Sequence, residues 1–546
     1  MRKKIAVLIP VFAMLLLLAS FPAISYAVTP FEQRVNDSIE LGLQYLRDNF
    51  QSGGYWSGII GSQGSFESRV AGASLGILCF LNQKDPSGDM KGYSGLAPSD
   101  KVIVDAALAY IVSQQKLDGS IWYDHETYET GLAMSVLAET MDTGGPDYMA
   151  VLTDAIDYSV VAQADEGEGL TVGSTYYGGW SYVGGVAYGD NSNTQFALIG
   201  LRAADSALGG GIVPPTTWDK AILFQQHCQN DPTINDMAWA LDPLNPSHDD
   251  GGFVYVPDGW SLSDVGSYGS TGSHTALGCW NYIMCGLLQT DYRVTRALDW
   301  LDLNYDYDEN PNEHGYPFYY YYAWAFSKAM RLTSPASDLI GGVRDPAADG
   351  YPEEIPSWYY DFAWYLTGTQ NVTDGTFYNN PAETNSWVPA IDTMFAILVL
   401  EGAVGIPMTD TVTVYTGDVV GFIGGTATLS AVLTEKETGA PIDNEPIIFT
   451  LQGKTVSATT GLDGVATAVM TIDPPDGVYV VVASFPGDVS RRLNPSSDSE
   501  PFTVPIHGVI PEVPVGTIVA SVSMIIALVA YVAMPKFRKK QMGINP

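Results

Sequence analysis

The 546-residue sequence predicts a mainly α protein: six helical hairpins closed as an (α/α)6 toroid, then a small all-β sandwich and one C-terminal transmembrane helix. Three observations predict this. A Gly/aromatic turn followed by an apolar, Ala-, Ser- and Thr-rich segment recurs from about residue 31 to 403. Short runs of alternating apolar and polar residues take over after Ile406. An uncharged stretch from Val515 to Met534, about 20 residues, stands before a basic tail.

In chain order, Arg2, Lys3 and Lys4 precede an apolar run from Ile5 to Ala19 and a small-residue site at Ser25-Tyr26-Ala27. That is the layout of a secretory signal peptide over 1–27, so folding begins near Val28. The repeat region, 28–407, carries six turns: Gly53-Gly54-Tyr55-Trp56, Asp118-Gly119-Ser120-Ile121-Trp122, Gly178-Gly179-Trp180, Asp250-Gly251-Gly252-Phe253, His314-Gly315-Tyr316 and Asp374-Gly375-Thr376-Phe377. Inner helices are expected to start after them, near Ser65, Thr127, Ser192, Gly272, Tyr316 and Asn385. Ala106–Val112 and Gly131–Leu137 lack strict alternation and read as inner-layer segments buried on most sides. Val35–Leu46 is amphipathic and suits an outer layer. Such hairpins cannot each bury a core alone, but they can stack and close on themselves.

Residues 408–506 read as the β-sandwich, with strands around Val412–Tyr415, Ala427–Leu433, Ile447–Leu451 and Tyr479–Phe485. A linker over 507–514 leads to the span at 515–534 and a basic tail over 535–546. Lys536, Arg538, Lys539 and Lys540 place that tail in the cytoplasm, so 28–514 is expected outside the cell. The net charge of −36, from 61 acidic and 25 basic residues, excludes nucleic acid as a partner. It describes a soluble exterior surface suited to divalent cations. The four cysteines, Cys79, Cys228, Cys279 and Cys285, either pair outside the cell or remain buried thiols. Cys279 and Cys285 fall on different faces of one helix and should not bond to each other.

Gln114-Gln115-x-x-Asp118-Gly119-Ser120-Ile121-Trp122 and Gln370-x-x-x-Asp374-Gly375-Thr376-Phe377 resemble the repeat of prenyltransferases and squalene cyclases. In that family the Gln and the turn aromatic join one hairpin to the next, which implies structural roles here. Tyr319-Tyr320-Tyr321-Tyr322 resembles the aromatic helix of surface proteins with this toroid. Gly439-Ala440-Pro441-Ile442 and Gly461-Leu462-Asp463-Gly464 resemble bacterial Ig-like repeats of the invasin type, implying a stalk. Pro511-Glu512-Val513-Pro514, with the span and basic cluster, resembles archaeal C-terminal surface-sorting tails.

The chemistry of the enzyme families is missing. No Asp-x-Asp-Asp is present; Ser247-His248-Asp249-Asp250 has the wrong first residue. The prenyltransferase zinc set needs Asp-x-Cys, and only Ser273-His274-Thr275 resembles its final part. Gly278-Cys279-Trp280 departs from the thioester motif. The first reading is therefore a surface-anchored toroid that binds an extracellular glycan, lipid or protein in its cavity. Candidate ligand contacts are Trp180, Tyr182, His274, Tyr319, Tyr320 and Tyr322, whose flat or polar faces suit such ligands. The alternative is a polysaccharide lyase or glycoside hydrolase using rim residues Asp124, His125, Asp249 and Asp250. A terpene cyclase or prenyltransferase is disfavoured by the missing motifs and by location. Finally, Asp302, Asn304, Asp306, Asp308, Asn310 and Glu313 take the ligand spacing of an EF-hand calcium loop, with Tyr307 where that loop has Gly.

Overall fold

The computed structural model describes residues 28–505, except 58–66, 85–89, 259–262, 264–265, 314–317, 335, 378–388, 403–410, 437–438, 474, 488–492 and 494. The expected signal peptide, linker, transmembrane segment and basic tail lie outside the described residues, as do the turn at His314 and the proposed domain boundary near 407. No helix of the described residues is long and apolar enough to cross a membrane.

Twelve α-helices are present among the described residues, followed by two small antiparallel sheets. They are α1 (Pro30–Asp48), α2 (Arg69–Leu81), α3 (Pro98–Ser113), α4 (Glu126–Asp142), α5 (Met149–Val161), α6 (Asn191–Ala207), α7 (Pro215–Cys228), α8 (Gly272–Met284), α9 (Tyr292–Leu303), α10 (Tyr319–Thr333), α11 (Trp358–Thr369) and α12 (Pro389–Glu401). Odd-numbered helices bury one stripe. In α1 it is Phe31, Val35, Ser38, Gly42, Leu43 and Leu46, and the helix starts at a Thr29–Glu32 capping box. Even-numbered helices bury nearly every residue, as in Thr127–Thr140 of α4. The Ala106–Val112 reading is corrected here: it belongs to α3, which buries only Asp100, Val104, Ala107, Leu108 and Ile111. Its alanines made an outer helix look apolar all round.

Each even helix packs on the next, α2 on α4 and so on to α12, and α12 packs on α2; α11 likewise packs on α1. One joint is repeated. The Gln115 amide donates to the turn carbonyl of Gly119 (3.3 Å) and to Val151 O of α5 (3.0 Å). Gln163 does the same to Gly178 and Thr217 of α7, and Gln229 to Gly251 and Arg293 of α9. Gln370 donates to Gly375 (3.0 Å) and to Ser38 O of α1 (2.9 Å), tying the last hairpin to the first. The turn glycines 119, 178, 251 and 375 have φ between 80 and 94°. A Cβ at any of them would strike a carbonyl of the next odd helix, so side chains are doubly excluded there.

Two antiparallel sheets follow, β1-β2-β5 and β4-β3-β6-β7, built from β1 (Thr411–Tyr415), β2 (Thr426–Glu435), β3 (Pro446–Leu451), β4 (Lys454–Thr459), β5 (Val465–Thr471), β6 (Gly477–Phe485) and β7 (Ser496–Val504). Alternate residues such as Leu429, Leu433, Phe449, Leu451 and Phe485 form a second hydrophobic core, separate from that of the helices. Strands β4, β5 and β7 were not marked by the sequence. Small residues dilute β5, and β7 is a polar edge strand holding Pro501. All four cysteines are free and buried.

Candidate functional site

The sequence-selected residues divide sharply. Trp180 is fully buried; its indole donates to Ser159 O (2.8 Å) and its amide to Thr194 Oγ1 (3.0 Å). It is framework, not a ligand contact. Tyr319 and Tyr322 turn away from the centre, donating to Tyr307 O (2.6 Å) and Asp306 O (2.9 Å). The Tyr320 ring meets Tyr319 edge-on at 5.3 Å. The 3.6-residue period explains the split: 319 and 322 share one face of α10, while 321 and 324 share another.

The rim candidates do not converge. Asp249 is exposed and paired with Arg296 (2.8 Å). Asp250 accepts from Gly252 N, Ser270 Oγ and the Trp300 indole (2.9, 2.9 and 3.2 Å), so it braces its own turn. Asp124 accepts from Glu67 N (2.9 Å), and His125 Nδ1 meets the buried Ser68 hydroxyl at 2.9 Å.

Side chains of the loop with calcium-ligand spacing take partners within the protein. Asn304 donates to Trp300 O (2.9 Å), closing α9. Asp306 Oδ1 accepts from the amides of Asp308 and Glu309 (3.0 and 3.2 Å). Asn310 Oδ1 accepts from Ser273 N and Glu313 Oε2 from Ser273 Oγ, both at 3.0 Å. The positive φ that glycine supplies at the sixth position is absent at Tyr307, whose hydroxyl accepts from Arg344 (2.9 Å). The hydrogen bond to Asp306, with burial second, pushes the Asp308 carboxyl up to about 6. Among the described residues no group of three or more His, Cys, Asp or Glu is placed to hold a metal ion.

Tyr182 and His274 do belong to one cluster, at the end of the helical domain where the even helices begin. Tyr182 is 41% exposed, and its carbonyl accepts from Thr127 N at the start of α4. Its ring lies 5.3 Å from that of His125, and its hydroxyl 3.3 Å from the Tyr255 hydroxyl. The Tyr255 ring stands 5.1 Å from His274, whose Nδ1 meets Thr271 Oγ1 at 2.6 Å. Burial holds His274 down to about 3, so it is neutral, and lowers His125 as well. Beneath them Asp190 caps α6, accepting from Asn193 N (2.9 Å), Ser192 Oγ (2.8 Å) and Asn193 Nδ2 (2.8 Å). Glu129, fully buried, accepts five backbone amides, those of Val70, Ala71, Tyr123, Asp124 and His125.

Deeper in, side chains from non-adjacent helices meet. The Tyr321 hydroxyl of α10 donates to Gln195 Oε1 of α6 (3.3 Å), and its ring lies 5.7 Å from Phe395 of α12. Trp324 sits 6.0 Å from Phe196, 5.0 Å from Phe395 and 5.0 Å from Trp280. Among these rings Gln195 Nε2 and the indole nitrogens of Trp280 and Trp324 are buried without a hydrogen-bond partner, as are Asn193 Oδ1 at the Asp190 cap and Asn281 Oδ1 beside Asn191. Proteins pair nearly all buried polar groups, so these unpaired atoms are a departure. At the opposite ends of α4, α10 and α12, Glu139, Lys328 and Glu401 are buried. Burial holds the Lys328 ammonium down to about 7, against the pull of Glu139 and Glu401.

Sequence reasoning missed Tyr255, Asp190, Gln195 and Asn193, and from the Tyr319–Tyr322 run it selected the three tyrosines other than Tyr321 as ligand contacts. The Asp190-Asn191-Ser192-Asn193 run before an apolar helix is a readable N-cap signal; Tyr255 sits in a long loop with no local mark.

No family model matches the chain. No curated protein matches it either. This overturns the resemblances to the prenyltransferase and squalene-cyclase repeat, to invasin-type Ig-like repeats and to archaeal sorting tails, which rested on short motifs. The Gln and Gly of those motifs serve the packing joint between hairpins here.

Proposed function

We propose that this is a single-pass cell-surface protein that binds a neutral polyhydroxylated ligand, a glycan, without transforming it. In this reading the helical domain is an (α/α)6 toroid, supported by the return of α12 to α2 and of Gln370 to Ser38. The β domain is an Ig-like sandwich, supported by the strand orders β1-β2-β5 and β4-β3-β6-β7. It acts as a stalk above the membrane helix expected at 515–534. The signal-peptide pattern at one end and the positively flanked span at the other support export and anchoring.

The observation that carries the ligand class is the aromatic layer of Tyr321, Trp324 and Trp280 with unpaired polar atoms from Gln195, Trp280 and Trp324. Sugars present apolar CH faces to rings and hydroxyls to both donors and acceptors. Above that layer, half-exposed Tyr182 and its partner Tyr255 form the approach. The −36 charge disfavours anionic ligands. The hydrolase alternative lacks support, because Asp249, Asp250 and Asp124 are each engaged elsewhere.

The test is calorimetry of the intact protein against neutral oligosaccharides, with product analysis of the same mixtures. Saturable binding without cleavage is expected, weakened about tenfold or more, ~1.4 kcal/mol, by Tyr182→Ala. Cleaved product, or no binding across the panel, would overturn it.

A further inference from the structure

We propose that Asn371 is a site of N-linked glycosylation; this rests on the export reading above. The acceptor signal is Asn-x-Ser/Thr with x not proline. The sequence holds two such triplets, Asn36-Asp37-Ser38 and Asn371-Val372-Thr373; Asn245 and Asn494 are followed by proline. The fold separates the two.

Asn36 lies inside α1, two turns from its start, and Ser38 is buried with its hydroxyl donated to Gln370 Oε1 (2.5 Å). A transferase must grip an extended or turned acceptor and its hydroxyl together, and this triplet offers a rigid helix with the hydroxyl already spent. Asn371, Val372 and Thr373 are all exposed, in the turn between α11 and α12. Asn371 Oδ1 accepts from Thr373 N (3.0 Å), folding the triplet into an Asx turn that brings the amide toward the threonine. Its Nδ2 and the Thr373 hydroxyl make no hydrogen bond among the described residues, so both are presented to solvent. The loop beneath is held by Gln370 to α1 and by Asn371 N to Thr376 O (2.9 Å). A glycan there would sit at the junction of the last and first hairpins, which Gln370 ties together.

In the reaction Asn371 Nδ2 attacks the anomeric carbon of a lipid-linked glycosyl diphosphate. The C–N bond forms as the C–O bond to phosphate breaks. The diphosphate leaves with the electron pair, and the amide proton passes to a carboxylate of the transferase.

The full chain is made in its own cells, released from intact cells by protease shaving, and its peptides are weighed. The expected result is a glycan mass on the Asn371 peptide and none on the Asn36 peptide. Thr373→Ala, which keeps Asn371 and its turn, should lose the added mass; Thr373→Ser should keep it. Bare Asn371 on protein that shaving releases overturns the proposal, as does a glycan that survives Thr373→Ala or appears equally on Asn36. Protein that shaving cannot reach overturns the export reading, and the proposal with it.

Discussion

His274 is the residue whose titration reports most directly on the packing around the aromatic cluster. Its folded pKa of about 3 lies below the ordinary 6.5, so between those values the unfolded chain binds more protons. Stability contributed by neutral His274 is therefore present above about pH 6.5 and is lost as pH falls toward 3, on the order of a few kcal/mol. Burial raises Asp190 and Glu129 above their ordinary 3.8 and 4.5, so they act with opposite sign as pH rises past those values. The readout is thus a difference: denaturant midpoints between pH 7 and 4 should fall more steeply in wild type than in His274→Gln. Parallel curves would show that the imidazole titrates freely. Trp180 offers a second residue-scale test. Trp180→Ala removes a fully buried ring and its bond to Ser159 and should lower stability by about 3–5 kcal/mol. Trp122→Ala should be much milder, because Ile121 fills the buried place in that turn and the half-buried Trp122 donates to its neighbour Ser120 (2.9 Å).

At the scale of elements, the glutamine joint ties successive odd helices together at four places among the described residues. Each joint satisfies one turn carbonyl and one carbonyl of the following odd helix, and the turn glycine makes that approach possible. Replacing Gln163 with Leu takes the side-chain donor from the Gly178 carbonyl and the second donor from the Thr217 carbonyl, at roughly 1–3 kcal/mol. Gln370→Leu should lower the unfolding midpoint by a similar amount, because Ser38 O and Gly375 O depend on it in the same way. A neutral Gln370→Leu beside a destabilising Gln163→Leu would mean that the first and last hairpins merely lie side by side. Helix α10 shows how an element sorts its own residues. Its four consecutive tyrosines are chemically alike, yet Tyr319 and Tyr322 hold the 302–313 loop while Tyr321 reaches Gln195.

For the molecule as a whole, charge is the dominant long-range term. With 61 acidic and 25 basic residues, like charges repel across the folded surface more than in the expanded chain. Raising monovalent salt from about 20 mM to 500 mM shortens the Debye length from tens of ångströms to a few and should raise the melting temperature. A fall would place the weight on ion pairs such as Arg47–Asp100 (2.8 Å) and Arg344–Asp349 (2.6 Å). The two hydrophobic cores, one in the helices and one in the sheets, are joined through Gln289, which donates to Pro486 O (3.3 Å) and accepts from Ala336 N (2.8 Å).

By itself the sequence determined the order of architecture, helices and then strands. It also placed the starts of the even helices within a few residues wherever they are described: Thr127 against Glu126, Ser192 against Asn191, and Gly272 itself. Those features are local, set by turn glycines, caps and the period of apolar residues, and a local code can be read along the chain. Only the tertiary structure decided which side chains share a site. Tyr182 meets Tyr255 across 73 positions and Tyr321 meets Gln195 across 126, distances over which no periodicity carries information. The same holds for what was rejected: Asp250 and the 302–313 carboxylates have suitable chemistry and spacing. Asp250 and Glu313, however, accept from hydroxyls of other elements, Ser270 and Ser273, and Asp306 accepts amides of its own loop. A residue's type and spacing limit what it can do, and the partners brought to it by the fold select what it does, because each donor or acceptor is satisfied only by what lies within hydrogen-bond reach.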